Sequence, residues 1–106
     1  MCYTPKRVKP TNRIRWVWKV LSQKSTATEA RTPVQDYAFA RGEWVKSPWP
    51  PGFYAGLTPK AAKQGACWQS DYDFLMKVRV RRINGRSGNT ITAEEIFVPK
   101  DRGRRA

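Results

Sequence analysis

Between Arg13 and Ser22 the chain alternates with a period of two. Ile14, Trp16, Trp18 and Val20 fall on one side, and Arg13, Arg15, Val17, Lys19 and Leu21 on the other. β-Branched and aromatic residues dominate, so the pattern predicts a strand with its Ile14–Val20 side turned inward. Trp16, Trp18 and Trp44 are expected in the core on this reading. A second alternation sets Phe74, Met76, Val78 and Val80 against Lys77, Arg79 and Arg81. It predicts a strand over Phe74–Ile83, paired with another over Thr90–Val98 through the turn Asn84-Gly85-Arg86-Ser87-Gly88-Asn89. Pairing Ile83 with Thr90 would place Glu95 opposite Val78 and point a carboxylate into the core. A β-bulge near Glu94–Glu95 is expected to relieve this conflict, leaving Ile91, Ala93, Ile96 and Val98 inward.

The remaining elements are shorter. Ser22–Pro33 is polar and predicts a loop, and short strands are expected at Gln35–Ala40, Glu43–Lys46 and Phe53–Ala55. Ser47-Pro48-Trp49-Pro50-Pro51-Gly52 predicts a stiff turn, because its prolines lack backbone donors. A helix is predicted to open with Thr58 as N-cap and Pro59 at the first helical position, with Leu57 stapled to Ala62, and to run to about Trp68. Its small residues, Ala61, Ala62, Gly65 and Ala66, suit close packing on a sheet. The expectation is a single α+β domain over residues 13–99, built as a curved antiparallel sheet of four or five strands with one short helix. Residues 1–12 are expected as an extended basic arm and residues 100–106 as a basic tail.

Composition narrows the chemistry. The 106 residues include no histidine, which excludes histidine-based triads, dyads and metal sites. Cys2 and Cys67 form no C-x-x-C pair, so neither a metal nor another cofactor is expected. Asp71 and Asp73 read as a solvated turn before a strand. Apolar runs are too short to span a membrane, no signal-peptide core follows the basic start, and the cytoplasm is the expected compartment. A non-enzymatic binding protein is the expectation.

Lys and Arg total 21 against 8 Asp and Glu, a net charge of +13. The excess sits at the two ends. Residues 1–26 carry seven bases and no acid, residues 27–75 carry five of each, and residues 76–106 carry nine bases against three acids. Such placement attracts polyanions. The candidate contacts are Lys6, Arg7, Lys9, Arg13, Arg15 and Lys19 near one end, and Lys77, Arg79, Arg81, Arg82, Arg86, Arg102, Arg104 and Arg105 near the other. Lys77, Arg79 and Arg81 would form a ridge with cations about 7 Å apart along the strand. Trp49 and Trp68 are the candidates for stacking on bases.

Several short segments carry a resemblance: Met1-Cys2-Tyr3, Lys19-Val20-Leu21, Gly52-Phe53-Tyr54, Ala61-Ala62, Lys77-Val78-Arg79-Val80 and Ala93-Glu94-Glu95-Ile96. Together they resemble small proteins of phages and integrated elements, in which a histidine often stands where this chain has Tyr54. The resemblance implies a mobile-element origin and an α+β fold, and no established activity. Three functions are therefore set side by side. The first is a phage accessory protein docking on nucleic acid or a host nucleoprotein, as an anti-CRISPR-like inhibitor of host defence would. The second is sequence-independent binding of DNA or RNA. The third is a small ADP-ribosyltransferase-like enzyme using Glu95.

Overall fold

The computed structural model describes residues 6–32, 37–65 and 73–100. Its elements, in chain order, are β1 (Lys6–Arg7), β2 (Arg15–Ser22), β3 (Glu29–Arg31), β4 (Ala38–Ala40), β5 (Trp44–Lys46), β6 (Phe53–Gly56), α1 (Pro59–Gly65), β7 (Asp73–Ser87) and β8 (Thr90–Phe97). Strand β7, fifteen residues long, organises the rest. Its first half pairs with β2, from Ser22↔Asp73 to Arg15↔Val80, and its second half pairs with β8, from Arg79↔Phe97 to Ser87↔Thr90. β8 in turn pairs with β6 and β5, and β6 returns to β2 through Trp18↔Gly56. The ring β7–β2–β6–β8 is thereby closed, with every pairing antiparallel. β1 adds to the far end of β7, so this sheet holds six strands rather than the four or five expected.

The inside of the ring is filled by one phenylalanine and otherwise aliphatic side chains. Val17 and Leu21 enter from β2, Phe53 and Ala55 from β6, Val78 and Val80 from β7, and Ile91, Ala93 and Ile96 from β8. Ala30 and Phe39 close the same core from the β3–β4 ribbon. β3 lies in the segment expected to be a loop. Its three residues are too few and too polar for a period to show, and their pairing with β4 makes the strand. Arg41, buried at the end of the ribbon, ties it down by donating to the Pro99 and Thr26 carbonyls at 2.9 and 2.7 Å.

The first part of β2 turns the opposite way from the prediction, while Val20, on the side expected inward, is buried as expected. Val17, Lys19 and Leu21 point inward, whereas Ile14 and Trp16 are 48% and 54% exposed. Both sides of this strand carry apolar residues, so the period alone could not choose the inner one. A narrow ring interior accepts valine and leucine more readily than indoles, and the indoles find cations on the outside instead. Trp44, also expected inside, lies on that outer surface.

The hairpin differs in two particulars. The turn is the two-residue Gly88-Asn89, with Gly88 at φ 59°, so β7 runs on through Ser87. The register shift falls between Ile83 and Gly85, not at Glu94–Glu95. Asn84, the extra residue, donates to the Pro51 carbonyl at 2.6 Å and accepts from the Thr92 hydroxyl at 2.8 Å. The carboxylate conflict is solved at Arg82, whose φ of 59° offsets the pleat. Val80↔Ile96 and Ile83↔Ala93 both face inward, and the two pairs between them, Arg81↔Glu95 and Arg82/Glu94, carry their charges outward. The four residues expected inward on β8 and just beyond it are all buried.

Helix α1 begins as the sequence predicts. The Thr58 hydroxyl accepts from the Ala61 amide at 3.1 Å, and the Thr58 carbonyl accepts from Ala62 at 3.0 Å. The expected extension to Trp68 lies outside the described residues. α1 packs against β6, β2 and β8, and it approaches so closely that a Cβ on Gly56 would stand 2.2 Å from the Ala62 nitrogen. Among the described residues no helix is long and apolar enough to cross a membrane.

Candidate nucleic-acid interface

On the outer surface of the ring one register row crosses four strands: Trp16 on β2, Arg79 on β7, Phe97 on β8 and Trp44 on β5. Directly opposed side chains on neighbouring strands lie within contact range, and here one cation, Arg79, stands among three aromatic rings. The Arg79 guanidinium carbon sits 5.2 Å from the Trp16 ring centre and 4.4 Å from that of Phe97. Phe97 and Trp44 tilt against each other at 5.7 Å. To one side, Lys77 reaches over Trp18 at 5.7 Å. To the other, Arg81 lies over Trp44 at 4.2 Å and is hydrogen-bonded to Glu95, with Lys46 opposite Glu95 on β5.

Such cation–ring contacts are worth about 0.5–2 kcal/mol per pair, and they restrict where each cationic head lies. A guanidinium nitrogen that stays in solvent can pair with the oxygens of a phosphate. Arg79 is the exception at one nitrogen, which an incoming oxygen does not reach. Its Nε is buried without an acceptor among the described residues, a costly state for a charged donor. Trp16, half in solvent, presents ring surface beside it.

A cleft of about 450 Å³ opens next to this row. Lys46 borders both. Ser47, Trp49 and the three neighbouring prolines form one wall, and Arg7, Asn84 and Glu94 complete the lining. Trp49 is steadied by its indole N–H donating to the Gly52 carbonyl at 3.2 Å and by edge-on contacts to Tyr37 and Phe53. Arg82 donates to Glu94 Oε1 at 2.8 Å, and this hydrogen bond, with lesser help from Asn84 and Lys46, holds the Glu94 carboxyl below the usual carboxylate range.

The expected basic residues divide into groups. Lys77, Arg79 and Arg81 form the ridge the alternation predicts. Lys6, opposite Arg86, and Arg7 stand at the hairpin end through β1, and Arg7 reaches the cleft. The expected arm therefore runs along the sheet: Val8 donates to the Asn84 carbonyl at 2.9 Å, and Arg82 to that of Thr11 at 3.0 Å. Lys9, Arg13 and Arg15 are exposed. Lys19 does not join the surface, being 4% exposed inside the ring. Arg82 is occupied by Glu94 and Asn12. Glu95 faces outward, bound to Arg81. Trp68, Arg102, Arg104 and Arg105 lie outside the described residues, as do Cys2, Cys67 and Asp71.

Sequence reasoning missed Trp16, Trp18, Trp44, Phe97 and Lys46 as surface residues. No signal in the alternation identifies Trp16 and Trp18: putting them outside requires burying the Lys19 ammonium, and that charge argues for the opposite placement. Among the described residues no group of histidine, cysteine or carboxylate side chains is arranged to hold a metal ion. No family model, curated relative or solved structure matches the chain.

Proposed function

We propose that this protein binds single-stranded nucleic acid across the β2–β7–β8–β5 face, without catalysis. The observation that carries the reading is the Trp16–Arg79–Phe97–Trp44 row, in which the exposed Trp16 ring stands beside the Arg79 guanidinium, followed by the half-buried rings of Phe97 and Trp44. Bases of a single strand stack on aromatic rings whatever their sequence, while the backbone follows neighbouring cations. A duplex hides its base faces and would use only the charges. The net charge of +13 supplies the long-range attraction. On the mobile-element reading, the bound strand is one exposed in a host nucleoprotein, and the protein acts there as a phage accessory factor.

The test is fluorescence anisotropy with a labelled oligothymidylate and with a duplex of equal length. Trp16→Ala removes one stacking surface and should weaken single-strand binding roughly tenfold, within the range for one base–aromatic stack. Because Trp16 is more than half exposed, the melting temperature should stay nearly unchanged. Equal affinity of Trp16→Ala and the parent protein, or tighter binding of the duplex, would overturn the reading.

A further inference from the structure

The cleft beside the row has a chemistry that the row lacks: a carboxylate, Glu94, in a lining that also holds the cations Arg7 and Lys46. Glu94 Oε1 is taken by Arg82, but Oε2 meets only the Asn84 amide at a long 3.4 Å, so acceptor capacity remains there. Trp49 and Pro51 offer flat apolar surface, and Arg7 and Lys46 stand at the border. The volume falls in the range that seats small planar ligands.

We infer that this cleft seats one guanine base of the bound strand. The guanine N1–H and N2–H groups donate to Glu94, the ring lies against Trp49, and the adjoining phosphate sits between Arg7 and Lys46. The inference rests on the single-strand reading and deepens it. Guanine presents two adjacent donors on its pairing edge. Adenine and cytosine each put a ring-nitrogen acceptor beside their amine, and uracil and thymine flank their one N–H with carbonyl oxygens. An ionised carboxylate accepts hydrogen bonds and donates none, so it favours the first pattern and repels the others. The row then gives sequence-tolerant affinity, and the cleft adds a preference at one position.

The experiment places a single guanine, adenine, cytosine or hypoxanthine within an oligothymidylate and measures affinity for the parent protein. Guanine should bind roughly tenfold tighter than thymine, as expected for a bidentate base contact. Hypoxanthine lacks the N2 amine and should lose most of that gain. Glu94→Gln should abolish the preference while leaving affinity for plain oligothymidylate. Because Glu94 also holds Arg82, the changes to the base provide a test that leaves the protein intact. Equal affinity for all four bases would overturn the inference and leave the single-strand reading standing. If plain oligothymidylate is not held, that reading fails by itself, and guanosine and adenosine monophosphates decide on the cleft. Tryptophan quenching by the guanine nucleotide alone supports it, and no difference between the two overturns it.

Discussion

Lys19 is the residue whose position is hardest to reconcile with its chemistry. It stands between Val17 and Leu21 on the inner side of β2, opposite Met76, and no described acid pairs with it. Burial disfavours its charged form and lowers its pKa from 10.5 to about 8. The unfolded chain therefore binds more protons than the folded one between those two values. Stability should rise as pH increases through this window, and below it the full cost, about 3 kcal/mol, remains. Replacing Lys19 with methionine should raise stability at neutral pH by up to that amount and flatten the rise, measured by urea melts from pH 7 to 10. A steeper or unchanged pH dependence in Lys19→Met would show the ammonium to be solvated. The same residue accounts for the difference between the alternation of β2 and its placement in the ring. Burying Lys19 is a local violation that only the cation-covered indoles on the other side offset, and neither half of that exchange is visible in one strand's alternation.

At the scale of elements, the strand positions, the helix N-cap and the alternation of β7 were readable from the sequence, because each depends on near neighbours. Three features depend on distant contacts and were not: the ribbon strand β3, the offset at Arg82, and the use of Asn84 as a bulge anchored on Pro51. A turn-rich hexapeptide marks where a hairpin bends but leaves several two-residue positions open, and the chain takes the one at Gly88-Asn89. The junction of α1 with β6 makes a sharper claim. Gly56→Ala drives a methyl group into the helix backbone, where the Ala62 nitrogen would lie only 2.2 Å from the new carbon. Overpacking of this kind costs about 1–3 kcal/mol, and the melting temperature should fall accordingly. An unaltered melt would mean that the helix can shift outward freely.

Across the whole molecule, the terminal excess of charge was plain in the sequence, but its arrangement was not. Part of it gathers on the outer face and the adjoining hairpin end. Lys19 is withdrawn into the core, and Arg81 and Arg82 are offset by Glu95 and Glu94. Among the described residues, the cations next to the proposed strand that hold no salt bridge to an acid are Lys77, Arg79, Lys46 and Arg7. If each neutralises one phosphate, the logarithm of affinity for a single strand should fall against log salt with a slope of about −3. A salt series checks this, and a slope near zero would mean that the cations do not meet phosphates. The closed ring has one weak seam, since β2 and β6 meet only at Trp18↔Gly56, with the short helix lying over both strands like a clasp. Were that clasp to lift, the cylinder would unroll into a ribbon with two naked borders. Copies of the chain could then stitch together edge to edge, so keeping this protein from self-assembly falls to seven residues at its least-sewn side.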